Sequence, residues 1–408
     1  MIFTELTKEE FTKFVDESPI KNFFQTVKMY NRLKKEKVEV YLVGVKDKGT
    51  VRAASMLAAK GVKFLGKKVF EAYKGFILDY EDKKLVQFMT EEVSKFLKSK
   101  GGMKLIIDPY LVNVSRDMDA NQVEGVDNRH IRSYLESLGY KYNENGEQVK
   151  WTYCLDIMGK SSEELLKEMK SNTRNCIHKT MSKFHLNVRD LKKEELRDFK
   201  KVTSDTCDRR SFADKSLEYY EDMYEAFGDE VVFKMCELNC DTFLSSLNQE
   251  QEELRLKLSK LSDAKANDKK KENIRTDLLN NEKKIASTLK LKEERGNVIP
   301  LAVAMFILYG DEVVYLFSGS YAELMSFFGQ YAIQWDIIKY AAEQGYKRYN
   351  FYGIQDVFDP KGKDRGVYEF KKGFGGYVEE LLGSFELRLN FFDCMYEFLR
   401  KVKRLIKR

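Results

Sequence analysis

Apolar residues along the chain recur with two different periods. In Glu39–Val45 and Val51–Leu57 they form short runs rich in Val, Leu and Ala around a turn containing Asp47, Lys48 and Gly49, which predicts a pair of strands. Ile299–Leu308 and Val313–Phe317, joined by Tyr309, Gly310, Asp311 and Glu312, repeat the design. Between these regions the period lengthens. Leu247, Leu254, Leu258 and Leu261, then Ile274, Leu278, Ile285 and Leu289, follow the narrow seam of a coiled coil. No glycine or proline lies between Gly228 and Gly296, and Ser262–Asp268 offers a short polar connection. The pattern predicts two antiparallel helices, a hairpin arm too thin to bury anything beyond its own seam.

On both sides of the arm the pattern is mixed α/β. Leu6–Phe14 resembles Leu191–Phe199, each reading as a helix that follows a strand and precedes a strand hairpin. Two related α/β domains, the second interrupted by the arm, is the simplest account. The expected boundaries are residues 1–150 for the first domain, 151–239 with 297–408 for the second, and 240–296 for the arm.

Length and composition agree with such a chain. It has 408 residues, 43% hydrophobic and 33% charged, enough for two or three folded units and unlike a disordered protein. The net charge of +6 is too small to name a partner, so the local distribution must. Near the arm's tip, Lys265, Lys269, Lys270, Lys271 and Arg275 stand against Asp263, Asp268 and Glu272. Two readings stay open there: a solvated helical surface, or a basic finger for a phosphate backbone. No apolar run is long enough to span a membrane, and the first residues carry no secretory pattern, so the chain is expected on the cytoplasmic side. Phe391–Arg408 alternates apolar and basic residues at helical spacing, which suggests contact with an anionic membrane surface.

The six cysteines are scattered, the three histidines are His130, His178 and His185, and neither a zinc spacing nor HExxH occurs. A metal site or a Ser/Cys–His triad is therefore not expected.

Three C-terminal segments carry a more specific message: Asn350–Ile354 (NFYGI), Gly366–Gly376 (GVYEFKKGFGG) and Gly383–Glu386 (GSFE). With Asn22–Val27, Tyr73–Tyr80, Ile107–Pro109, Ser171–Lys179, Arg209–Phe212 and Tyr219–Tyr220, they make the chain similar, nearly end to end, to the Fem/Mur family of peptidoglycan bridge-forming aminoacyltransferases. The closer likeness is to members that carry a helical arm. The resemblance implies an α/β (α+β) fold of two GCN5-type N-acetyltransferase-like domains with a coiled coil inserted in the second. It implies transfer of an amino acid from aminoacyl-tRNA to an amine of a lipid-linked peptidoglycan precursor (lipid II) or its growing bridge. Association with the inner face of the membrane, and oligomers with itself or related transferases, are further expectations.

An aminoacyl ester is already activated, so this reaction needs no ATP, metal or covalent enzyme intermediate, and no cofactor is expected. The enzyme must orient the reactants, help the amine shed its proton and stabilise an oxyanion. By the resemblance, Lys371 holds the position associated with catalysis, Phe370 packs on the substrate or terminal nucleotide, and Glu386 lies at the matching downstream spacing. Lys372 offers a second positive charge, and Asp108 or Glu386 would orient the amine or hold its proton. Arg209 or Arg210 matches the arginine that grips the precursor's phosphates, with Lys34, or its neighbour Lys35, as the lysine of the same clamp. Tyr321 joins the substrate-binding set, and Lys265, Lys269, Lys270, Lys271 and Arg275 are the expected tRNA contacts. Two rivals are an acetyl-CoA-dependent acetyltransferase and a non-catalytic coiled-coil adaptor. The first needs a glycine turn that opens a helix, yet Gly373–Gly376 is followed by a poor helix start. The second leaves the Phe370–Gly376 segment without a purpose.

Overall fold

A computed structural model describes residues 1–62, 65–144, 146–210, 212–262 and 265–393. The expected membrane-facing tail lies, from Cys394 onward, outside the described residues, as does Asp263 of the arm's connection.

Two mixed sheets carry the fold, and their strand plans match. In the first, Ile2–Glu5, Val40–Asp47, Thr50–Val62 and Lys67–Ala72 are antiparallel in that order, and Gly102–Ile107 then joins parallel. In the second, Asn187–Asp190, Val231–Asn239, Val298–Tyr309 and Glu312–Ser320 are antiparallel, and Arg348–Gly353 then joins parallel. Each sheet's first two strands are separated by a helix pair, Lys8–Glu17 with Val27–Lys35 and Leu196–Arg210 with Leu217–Phe227. The likeness of Leu6–Phe14 to Leu191–Phe199 thus marks equivalent places.

The match between hairpins needs correcting by one strand. The counterpart of Val40–Asp47 with Thr50–Val62 is Val231–Asn239 with Val298–Tyr309, whereas the sequence pattern pairs it with the next hairpin along. In the first sheet, Lys48 and Gly49 close the hairpin, both with positive φ (48° and 86°), as a two-residue turn of this hand requires. In the second sheet the arm stands in place of that turn. Asn239 still pairs with Val298, and Cys240 N–H donates to the Asn297 carbonyl at 2.8 Å. The arm is therefore a hairpin loop grown into a coiled coil.

Its helices are Cys240–Ser259 and Asp268–Arg295, the second about 42 Å long at 1.5 Å per residue. The seam is a regular heptad of Ile274, Leu278, Asn281, Ile285 and Thr288, with Asn281 and Thr288 buried. Leu289, expected in it, is exposed. Asn281 Nδ2 donates to Glu250 Oε2 at 3.0 Å and Gln251 reaches Glu282, contacts that favour one antiparallel register.

The sheets exchange strands. Val112–Arg116 and Gln122–Asp127, from the first part of the chain, complete the second sheet through Tyr377–Leu381. Ser384–Arg388, near the other end, lies in the first sheet between Gly102–Ile107 and Lys141–Asn143. Sheet boundaries therefore do not follow a single cut near residue 150. A buried cluster shared by both halves, including Phe11, Met56, Phe199, Tyr220, Phe233 and Met305, fills the space between them. Among the described residues, no helix is long and apolar enough to cross a membrane.

Candidate active site

The parallel strands Glu312–Ser320 and Arg348–Gly353 pair only from Glu312 to Val314 and from Arg348 to Asn350. Just beyond the last pair, the amine of Lys371 meets the end of the second strand. It donates to the carbonyls of Phe351 and Gly353, each at 2.6 Å, and stands 3.5 Å from that of Tyr352. Tyr315, on the facing strand, has its ring 5.8 Å from Nζ. Lys371 arrives there because it occupies the last turn of the helix Arg365–Lys372, whose inner face also buries Tyr368. Burial pushes the Lys371 amine down to about 7, while the three carbonyls favour its charged form. Two of its N–H groups are firmly engaged. The long contact to Tyr352 leaves one that a substrate oxygen can take over.

On the same helix, Phe370 is half-buried against Tyr331 and Phe374, with ring centroids 4.9 and 5.3 Å away. Lys372 turns elsewhere, into an ion pair with Asp119. Gly373–Gly376 then leads into the strand Tyr377–Leu381, so the glycine turn does not open a helix.

The helix Leu196–Arg210 brings two more predicted residues to this end of the sheet. Gly319 permits its close approach: a Cβ there would lie 2.6 Å from the Val202 carbonyl oxygen. Arg209 Nη2 donates to the Ser320 carbonyl at 2.9 Å, next to Tyr321, and Arg210 Nη1 lies 4.0 Å from Asp364, just ahead of the Lys371 helix. Tyr321 stacks beneath Arg295, 5.2 Å from its ring.

The two lysines proposed for the phosphate clamp differ. Lys35 is engaged by its own chain, 2.6 Å from Asp222 and 2.7 Å from Glu225, and these bonds raise its pKa. Lys34 is exposed, its amine 5.6 Å from the Tyr30 ring centroid. Glu386 is not brought to Lys371. It lies in the first sheet, where Lys104 donates to it at 2.8 Å and Asn143 at 2.8 Å.

Asp108 is buried and shares its carboxylate with Lys74, an ion partner that the sequence pattern gave no reason to single out. Lys74 N–H donates to Oδ1 at 2.8 Å and Nζ lies 2.7 Å from Oδ2. Burial pushes the Asp108 carboxyl up, with Lys74 opposing it. Deleting one member strands the other's charge, so Lys74→Met is expected to cost about 3–5 kcal/mol of stability. The double variant Lys74→Met/Asp108→Leu should recover most of this in urea unfolding.

A second feature missed by sequence reasoning lies at the paired end of the same two strands. Arg348 donates to Glu312 at 2.8 Å, to Glu379 at 2.6 Å and to the Tyr110 hydroxyl at 2.6 Å, and Tyr110 donates in turn to Glu312 at 2.9 Å. This network floors a cavity of about 370 Å³ whose walls come from both parts of the chain, including Ile20, Val126, Tyr309 and Leu381.

The FemAB family model matches residues 6–404. The chain belongs to the FemAB family. It is 34% identical over 421 residues to the aminoacyltransferase FemA of Staphylococcus epidermidis, covering 100% of both chains. It is 33% identical over 418 residues to FemA of Staphylococcus aureus, covering 99% of both. A crystal structure of FemX superposes with a TM-score of 0.76 at 22% identity, over 98% of this chain and 99% of that one, and so shares its fold. The chain is a FemA-type aminoacyltransferase, and the mixed α/β fold expected from the resemblance is the one observed.

Proposed function

We propose that the enzyme moves glycine, serine or alanine from aminoacyl-tRNA to an amine on the stem peptide of lipid II, or on its growing bridge, at the inner face of the membrane. The observation that supports this reading most is the buried amine of Lys371 at the diverging ends of two parallel strands. It offers positive charge in a site shielded from water, where the oxyanion of ester aminolysis needs it. Phe370 lines the approach. Arg209, Arg210 and Lys34 supply cations for the precursor's diphosphate, and Lys35 is the weaker candidate because Asp222 and Glu225 already neutralise it. Asp108, held by Lys74, acts on the amine from the first sheet; Glu386, engaged by Lys104, serves mainly to hold the exchanged strand. The arm's basic tip contacts tRNA.

The deciding experiment supplies purified enzyme with a panel of charged tRNAs and with lipid-linked precursors carrying zero, one or more bridge residues, read by mass spectrometry. One combination should gain a single residue mass. Absence of transfer from every charged tRNA, alongside acetylation from acetyl-CoA, would overturn the proposal.

A further inference from the structure

Asn350 heads the segment that includes Tyr352 and Gly353, and it makes no direct contact with the Lys371 amine. Its side chain is 2% exposed and used at both ends. Oδ1 accepts the Tyr352 N–H at 2.8 Å, while Nδ2 donates to the Tyr110 hydroxyl at 3.2 Å and faces Glu312 at 3.4 Å. The backbone here is irregular. Cys154 pairs with Asn350 and Thr152 with Gly353, so Phe351 and Tyr352 together stand opposite the single residue Tyr153. This is a β-bulge, the device by which strands are re-aimed beside active sites. Tyr352 within it has φ of 61°, a region costly for a bulky side chain unless its surroundings hold it. The bulge directs three successive carbonyls, those of Phe351, Tyr352 and Gly353, at one amine.

We propose that Asn350 is a positioning residue for Lys371: its side-chain carbonyl holds the Tyr352 bulge that aims three backbone carbonyls at the amine, and its NH2 group ties that bulge to the Tyr110–Arg348–Glu312 network. Tyr110 comes from the first part of the chain and Glu312 and Arg348 from the second, so the network forms only where the two parts meet. Their docking is thereby transmitted, through one side chain, to the lysine. This rests on the reading of Lys371 as the catalytic amine.

The titratable neighbours identified for Lys371 are Cys154 and Tyr315, and burial raises both, Tyr315 to about 12, so both are neutral near pH 7. The amine's titration therefore reports its carbonyl cage. With carbon-13-labelled lysine, the Lys371 resonance is assigned by its loss in Lys371→Met and followed against pH. In Asn350→Ala the midpoint should fall by about one pH unit, since the charged form loses its acceptors. The kcat should fall by about tenfold to a hundredfold with both KM values unchanged. Asn350→Ser, whose hydroxyl can still accept the N–H two residues on, should restore much of each. Tyr110→Phe deletes one hydroxyl, should move both readouts the same way by less, and serves if the alanine variant does not fold. A folded Asn350→Ala enzyme with unchanged midpoint and kcat overturns the proposal, as does a serine variant no better than alanine. If Lys371→Met itself kept full activity, the catalytic reading would fail, while the titration midpoint would still decide the positioning.

Discussion

Lys371→Met is expected to lower kcat for aminoacyl transfer by about 10²–10³, with KM for both substrates changed far less. The tetrahedral intermediate places negative charge on one oxygen. The Lys371 amine has two N–H groups fixed at 2.6 Å and a third only loosely held by Tyr352. Methionine keeps the stem and removes the charge. Two carbonyls lose their donor, but a buried charge disappears with it, so thermal unfolding should move by only a few degrees. The pH profile separates two roles. If the ammonium is the working form, kcat falls as pH rises through the amine's pKa, which burial places at about 7, and this limb vanishes in the variant. A limb of opposite slope would make Lys371 a base instead. Lys372→Met should be milder, because that amine faces Asp119. Near-normal turnover in Lys371→Met together with loss in Lys372→Met would move the assignment by one residue.

Reversing Lys269, Lys270 and Lys271 to Glu should raise the KM for aminoacyl-tRNA by tenfold or more and flatten its dependence on salt. Each lost phosphate contact removes about 0.7–0.9 from the slope of log affinity against log salt. Lys269 and Lys270 are exposed at the start of the arm's second helix, away from the strands that hold Lys371, so the lipid substrate's KM should hardly change. Two unchanged KM values would leave the tip a solvated surface.

The coarse design was legible because it is written locally. The strands on either side of Lys48-Gly49, the repeat of Leu6–Phe14 at Leu191–Phe199, and the Leu/Ile seam each show in a few neighbouring residues. What escaped depends on partners far along the chain. Thr288 rather than Leu289 faces the seam because the heptad continues through Asn281, a polar residue that no apolar pattern marks. Lys74 looks like a loop lysine until Asp108 is placed beside it. Arg348, Glu312 and Glu379 are unremarkable charges in sequence and become a buried network only when three strands meet Tyr110. Glu386 has the spacing of a site residue, but its strand crosses to the first sheet, where Lys104 takes it up. The hairpin equivalence slipped by one strand because the arm hides the closest counterpart: an insertion of tens of residues erases the turn signal it replaces.

The crossing of Ser384–Arg388 into the first sheet also bears on how the protein is made. Lys141–Asn143 pairs with that strand, and Gly102–Ile107 relies on it for one of its two neighbours. During synthesis at about 5–20 residues per second, the roughly 280 residues from Ile107 to Ser384 separate the emergence of Gly102–Ile107 from that of its partner strand, an interval of roughly 14–55 s. Through that time an inner strand of a β-sheet is an open edge, the kind of surface on which chains aggregate. A message truncated anywhere before residue 384 would yield a chain that can never cover it. Completion of the first sheet thus waits on translation as far as Arg388, and a nascent-chain protease assay should find Gly102–Ile107 protected only once Ser384–Arg388 has cleared the ribosome.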